Sequence, residues 1–332
     1  MDNNHKILEA SIANYDHCAD LLRADEVIGM PTETVYGLAG NALNESSVRK
    51  IFDVKGRPLI DPLIVHFSDI DSAEAHIAVN QSVRKLAAAF WPGPLTMVVP
   101  KRATIPDIVT AGLSSVAIRV PQHPVFREIL KRIDFPLAAP SANPFGYVSP
   151  THASHVAHTL GNRIEAVLDG GPSNFGLEST IIDLRAAEAP VILRHGPITE
   201  DQISKTLGIP LSSHIETTAD ETSAQTAPGM LTQHYSPSAK VTLLEHGTIN
   251  SNLADKASAL ICNQKPEWYS QQCNVFWLSE SGNLNEIAHN LFALIQRLDQ
   301  QNYKHLWIEL TLESGIGQAI NDRLRRAAAK IT

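Results

Sequence analysis

The chain has 332 residues, 43% hydrophobic and 19% charged, which supports about two globular domains with real cores. A formal net charge of −8 argues against a dense basic face for broad attraction to nucleic acid, so any anion binding has to be local. No apolar run approaches the roughly 18 residues of a membrane span, and Met1-Asp2-Asn3-Asn4-His5-Lys6 leads into an amphipathic segment instead of a signal peptide, so a cytoplasmic protein with no membrane partner is expected.

From residue 7 to about 208, short apolar runs alternate with helical patterns. Runs at 27–30, 63–67, 96–99, 116–120, 137–139, 166–168, 180–184 and 191–193 read as buried strands, and 45–52, 82–90 and 124–131 as helices, an α/β pattern. Residues 209–239 turn polar, with Ser212-Ser213 and Thr217-Thr218-Ala219-Asp220-Glu221-Thr222 ahead of Pro228-Gly229, a composition that builds a linker and no core. Strands at 241–244, 259–262, 275–278 and 305–309, with helices at 284–299 and 317–329, predict a second, smaller α/β domain over 240–332. Cys18, Cys262 and Cys273 are too few and too scattered for a disulfide scaffold or a zinc half-site, and read as structural thiols.

Several segments join an apolar run to cations, hydroxyls or amides. Lys55, Gly56 and Arg57 end a helix and precede Pro58; a glycine between two cations allows close backbone approach, and the guanidinium grips phosphate or carboxylate in two places. That suits a triphosphate, although the tetrapeptide also reads as an ordinary basic helix end complementing the dipole. Pro140-Ser141-Ala142-Asn143-Pro144 places a hydroxyl and an amide just past a strand end, where open α/β sheets gather ligands, and equally reads as a plain turn.

Thr32, Glu33, Thr34 and Tyr36 follow one strand, and Glu178 and Ser179 precede another. Gly176-Leu177-Glu178-Ser179 is no nucleophile elbow, so these hydroxyls read as binding groups. Arg119, inside an apolar strand, and Arg194, at the end of one, must each meet a carboxylate of the protein or an anionic ligand. His66, within 63–67, reads as a satisfied core histidine. His152, His155 and His158 share one helical face without a metal-ligand pattern and read as solvated, and Gly315-Ile316-Gly317 lacks the third glycine of a dinucleotide fingerprint.

Taken together and in order, Pro31-Thr32-Glu33-Thr34-Val35-Tyr36-Gly37, Lys55-Gly56-Arg57-Pro58, Trp91-Pro92-Gly93-Pro94-Leu95-Thr96, the 116–121 strand, Pro140-Ser141-Ala142-Asn143, the 170–183 stretch and Arg194 resemble the YrdC-like L-threonylcarbamoyladenylate synthases over about 7–208. Pro228-Gly229-Met230 with His234-Tyr235-Ser236-Pro237 is similar to the linker that folds over the active site in the long form of that family, and 315–328 resembles the end of its extra domain. The fold implied is a YrdC-like twisted open sheet with flanking helices over 1–208, an extended linker and lid over 209–239, and a smaller Rossmann-like α/β domain over 240–332.

The activity implied is synthesis of threonylcarbamoyl-AMP and pyrophosphate from L-threonine, bicarbonate and ATP. A tRNA threonylcarbamoyl transferase complex would then modify the adenosine beside the anticodon of ANN-decoding tRNAs, with direct tRNA binding by this chain weak or absent. The resemblance assigns Thr34, Tyr36, His66, Arg119, Ser141 and Ser179 to L-threonine, and Lys55, Arg57, Asp61, Ser115, Asn143, Thr151, Arg194 and His234 to ATP. Lys55 and Arg57 are the expected catalytic cations, with Mg2+ held mainly by the ATP phosphates and no protein metal ligand assigned.

Two departures stand out: Asp61 occupies a position where asparagine is commoner, and Leu231-Thr232-Gln233 replaces a more basic stretch. A lid that excludes water from a mixed anhydride is a further expectation of the linker. The competing functions are double-stranded RNA binding, which needs a basic concave face, and carbamoyl transfer of the hydrogenase-maturation kind, whose zinc-finger cysteines are missing here.

Overall fold

The computed structural model describes residues 6–186, 188–211, 223–230, 235–250, 253, 257–269 and 274–329. Among these, ten strands form one mixed sheet: β1 (Ile7–Glu9), β2 (Ile28–Met30), β3 (Gly37–Asn41), β4 (Ile64–His66), β5 (Leu95–Pro100), β6 (Ser115–Arg119), β7 (Leu137–Ala138), β8 (Val167–Asp169), β9 (Thr180–Asp183) and β10 (Val191–Arg194). Their order across the sheet is β1-β8-β2-β3-β7-β4-β6-β5-β9-β10. Seven helices accompany it: α1 (Ile12–Arg23), α2 (Glu45–Lys55), α3 (Ile70–Glu74), α4 (Gln81–Phe90), α5 (Pro124–Leu130), α6 (Ala153–Leu160) and α7 (Glu200–Leu207).

Alternation along the strands decides which face carries the site. Val65, Met97, Ile118, Ile182 and Ile192 turn to one side and join a core with Ile51 of α2, Leu86 of α4, Val156 of α6 and Ile203 of α7. Their neighbours Ile64, Val98, Ala117, Ile181 and Leu193 turn the other way, where Ala227 and Met230 of the linker cover them in place of a helix. A third core joins α1 and α5 to the far part of the sheet through Leu22, Phe126 and Ile129.

The helix ends are capped as their residues require. Asn44 accepts from the amides of Ser46 and Ser47 at the start of α2, and Gly56 closes it in the left-handed region at φ 63°, a conformation that delivers the chain to Arg57.

A second, all-parallel sheet comprises β11 (Lys240–Leu244), β12 (Ser258–Gln264), β13 (Val275–Ser279) and β14 (His305–Glu309) in the order β11-β14-β12-β13, with α8 (Leu284–Gln300) and α9 (Ile316–Ala328). Gly317, half of the imitated dinucleotide motif, serves close packing: a Cβ there would meet the Leu312 carbonyl oxygen at 2.0 Å. The expected open sheet with flanking helices and smaller α/β domain are both present.

The sequence reading left out β1, β3, α3 and α7. β3 is a Gly-Leu-Ala-Gly-Asn run whose small residues carry little strand propensity, and it is held by antiparallel pairing with β2 and β7. Of the three histidines read as a solvated face, His158 is exposed, whereas His152 and His155 are half-buried, their rings 4.8 Å apart, and the Thr151 amide donates to His155 Nδ1. Ser212-Ser213, Thr217 to Thr222, Leu231-Thr232-Gln233, His234 and Cys273 lie outside the described residues.

Candidate active site

The ends of β4, β6 and β10 and the start of β9 meet at one edge of the large sheet, on the face left to the linker, and the 139–141 segment after β7, which runs antiparallel to β4, reaches the same face beside Ile64. They enclose a cavity lined by Thr34, Arg57, His66, Arg119, Ser141, Ser179 and Arg194, closed by Pro228, Gly229 and Tyr235. Its free volume is about 50 Å³. Chain segments more than a hundred residues apart thus converge as strand ends, because strands of one sheet bring their termini to common edges.

Arg119 is partnered by the protein, although its Nη2 makes no hydrogen bond among the described residues. Its Nε donates to the Gly93 carbonyl at 3.1 Å, Nη1 to Thr34 Oγ1 at 2.9 Å, and Nη2 lies 2.8 Å from Glu33 Oε1. Of the two partners left open by the sequence, the resident one is therefore the Glu33 carboxylate.

His66, level with Arg119 in the β4–β6 register, packs its ring 5.2 Å from Phe126. Burial, then the neighbouring Arg119 cation, push its pKa from 6.5 down to about 3, so it is a neutral imidazole at pH 7. Its Nδ1 has no hydrogen-bond partner among the described residues, which corrects the reading of a satisfied core histidine. A buried unfilled ring nitrogen beside a cavity is a place for a polar ligand atom.

The Lys55-Gly56-Arg57 end of α2 is pinned from two directions. Arg57 donates through Nε to the Asp61 carbonyl at 2.9 Å and through Nη2 to the Pro62 carbonyl at 2.7 Å, and pairs with Asp61 Oδ2 at 2.9 Å. Burial raises the Asp61 pKa against the opposing pull of Arg57. Lys55 turns toward the 141–143 loop, donating to the Ser141 and Asn143 carbonyls, each at 2.6 Å, and does not line the cavity. Burial, reinforced by Arg57, lowers its pKa well below the ordinary lysine value.

Arg194 is likewise buried, and burial lowers its pKa. Its partners are neutral: the Ser179 carbonyl at 3.1 Å, Ser179 Oγ at 3.1 Å and the Pro228 carbonyl at 3.3 Å. Neither Arg194 nor Lys55 has a carboxylate within ion-pairing distance among the described residues.

Five other sequence-assigned residues fall outside the cavity lining, among them Asp61, paired to Arg57. Tyr36 points to the opposite side, its hydroxyl donating to the Gly171 carbonyl at 2.7 Å. Ser115 shares the face of Arg119 but stands four residues back along β6, about 13 Å at strand rise. Asn143 commits its amide nitrogen to the Pro144 and Tyr147 carbonyls, leaving Oδ1 without a partner among the described residues. Thr151 is buried against the His152 ring. His234 lies outside the described residues.

Sequence reasoning gave no role to Glu33, Glu178 or Thr96 as site components, and placed Tyr235 only in the linker over the site. Glu33 had one signal, an acid in a motif facing an arginine inside an apolar strand. Thr96 had none: its hydroxyl meets Ser179 Oγ at 2.7 Å only because β5 and β9 pair in parallel.

The match to known proteins spans both domains. Residues 20–196 match a Sua5/YciO/YrdC family model described as Telomere recombination, and residues 198–329 match one described as Threonylcarbamoyl-AMP synthase, C-terminal domain. A protein named Threonylcarbamoyl-AMP synthase from Pyrococcus abyssi is 37% identical over 320 residues, covering 93% of this chain and 92% of its own. Its namesake from Bacillus subtilis is 38% identical over 321 residues, covering 93% and 91%. The crystal structure of Pyrococcus abyssi Sua5 complexed with L-threonine superposes with a TM-score of 0.88 at 34% identity over 97% of each chain.

Proposed function

We propose, from the premise that this chain belongs to the threonylcarbamoyl-AMP synthase family, that it joins L-threonine, bicarbonate and ATP into threonylcarbamoyl-AMP, pyrophosphate and water. The observation that carries the reading is buried Arg194, which lines the enclosed cavity without a carboxylate in ion-pairing range among the described residues; Lys55, behind the 141–143 loop, is likewise without one. A buried charge is costly unless paired, and a triphosphate supplies the missing anion.

The threonine amine nitrogen bonds to the bicarbonate carbon; water leaves and a carbamate remains. A carbamate oxygen then bonds to the α-phosphorus of ATP as the bond from that phosphorus to its bridging oxygen breaks, and pyrophosphate departs. This is nucleotidyl transfer, and it calls for positioned cations instead of an enzyme nucleophile.

Thr34, Ser141, Ser179 and neutral His66 form the threonine subsite, with Arg119 as its cation and Glu33 as the resident counter-ion. Arg57 and Arg194 face the phosphates; Lys55 holds the 141–143 loop and adds positive potential; Asn143 Oδ1 offers an acceptor. Ser115 extends the same face for a ligand longer than threonine. Asp61, Thr151 and His234 complete the ATP set on the strength of the resemblance, and Tyr36 supports the motif from behind. Magnesium is assigned to the phosphates: Asp61, the carboxylate beside the cations, is already paired to Arg57, and no group of three or more ligating side chains gathers among the described residues.

Hand-over to a tRNA threonylcarbamoyl transferase complex is the proposed next step, since the mixed anhydride is short-lived in water. The net charge of −8 supports weak or absent direct tRNA binding. No described helix is long and apolar enough to cross a membrane, and a cytoplasmic location goes with the proposed tRNA pathway.

Pyrophosphate release from ATP, with threonine and bicarbonate omitted in turn and the adenylate followed by mass spectrometry, tests the reading. Release that requires both and yields the adenylate mass is expected. Release without them, or turnover with carbamoyl phosphate in their place, would overturn it.

A further inference from the structure

Arg323 of α9 is fully buried at the seam between the two sheets' domains. Its Nε donates to Glu178 Oε2 at 2.9 Å, its Nη2 to the His195 carbonyl at 2.8 Å, and its Nη1 to Asp322 Oδ2 at 2.6 Å. Its guanidinium carbon stands 5.3 Å from the centre of the Tyr235 ring, which closes the cavity. Glu178 immediately precedes Ser179, and His195 immediately follows Arg194. The arginine of one domain therefore holds the entry to β9 and the exit of β10 in the other.

Arg194 lies on the cavity side of the same two strand ends, bonded to the carbonyl and the hydroxyl of Ser179. Glu178 lines the cavity too, and its carboxylate takes Arg323 on one oxygen and the Ser149 hydroxyl on the other. One buried carboxylate thus has two candidate arginines, and the C-terminal domain supplies the one that takes it.

We propose that Arg323 is a positioning residue: by neutralising Glu178 it keeps that carboxylate from capturing Arg194, and so leaves Arg194 as an open anion-binding cation in the cavity. The inference rests on the assignment of Arg194 to ATP given above. It gives the second domain a defined part in nucleotide binding although α9 supplies no residue to the cavity wall. The physical ground is that a buried carboxylate stripped of its counter-ion recruits the nearest replacement, since an unpaired charge away from water is the costlier state. Glu178 and Arg194 already influence each other electrostatically.

The test is ATP affinity of the full chain by calorimetry, with thermal melts as a check on folding. Arg323→Met is expected to weaken ATP binding about tenfold or more, as one buried charge contact is lost to the ligand, and to affect L-threonine affinity less. Adding Glu178→Gln in the same chain removes the competitor and should restore ATP affinity to within about threefold of the starting value. A domain clamp alone would show no such rescue.

Unchanged ATP affinity in Arg323→Met overturns the inference, as does an equal loss for ATP and threonine that Glu178→Gln fails to relieve. If Arg323→Met does not fold, Arg323→Lys carries the test. It keeps a counter-ion for Glu178 and should hold ATP affinity within about threefold, and a folded Arg323→Lys chain that loses about tenfold overturns the proposal. Wild-type chain that forms no adenylate would instead sink the functional reading, so the two failures are distinct.

Discussion

Two buried arginines on opposite sides of the β9 and β10 ends meet contrasting surroundings. At the domain seam Arg323 has carboxylates at 2.9 Å and 2.6 Å; burial alone would lower its pKa, but Tyr235, Glu178 and Asp322 outweigh that and raise it. In the cavity Arg194 has only two carbonyls and a hydroxyl, and burial lowers its pKa. The same side chain is a lock where its charge is matched and a binding group where it is not. Burial by itself distinguishes nothing between them; the count of carboxylates does.

Stability should separate the pair most strongly. Arg323→Met strips the resident partner from a buried carboxylate and is expected to cost up to about 3–5 kcal/mol, less what capture of Arg194 by Glu178 recovers, read as a fall in the urea midpoint. Arg194→Met removes a cation with no carboxylate to orphan and should change the midpoint little; an equal fall in both would erase the distinction. Activity should invert the order of the two sites: Arg194→Met is expected to lower kcat/KM for adenylate formation about a hundredfold or more, the scale of losing one preorganised charge contact in a water-poor site.

Arg119 sharpens the comparison from between the two, since it is paired yet lines the cavity. Arg119→Ala should weaken threonine binding about tenfold while sparing ATP, and calorimetry showing unchanged threonine affinity would remove it from the subsite.

The shallowest effect is a pH slope from His66. Its folded pKa of about 3 lies below its ordinary 6.5, so the unfolded chain binds the extra proton between those values. The contribution is fully present above about pH 6.5 and falls as pH drops toward about 3, by at most about 1.4 kcal/mol per pH unit. Urea midpoints across that window should slope less in His66→Gln; identical slopes would place the titration elsewhere.

Much of the fold was legible along the chain. Short apolar runs in β4, β5, β6 and β9 mark strands buried on both faces, and the amphipathic pattern of α8 marks its helix over almost its full length. β3 was not, because its glycines and alanine carry no pattern of their own. At the site, Thr34, Arg57, His66, Arg119, Ser141, Ser179 and Arg194 were named from motifs and do line one cavity, whereas Tyr36 was named from the same motif and faces away. A motif records that neighbouring residues travel together; the bend through 33–35 ahead of β3 turns their side chains to different sides.

The sequence alone determined that two α/β units flank a polar linker and that buried arginines at 119 and 194 must find anions, and its net charge of −8 argues against a dense basic face. Only the tertiary structure decided which anions: Glu33 for Arg119, none within ion-pairing range for Arg194 among the described residues, and Glu178 for an arginine 145 residues further along the chain. The physical reason is that periodicity and composition report what a residue must avoid, unpaired burial above all, whereas the identity of its partner depends on strand register and domain docking, which join residues far apart in sequence.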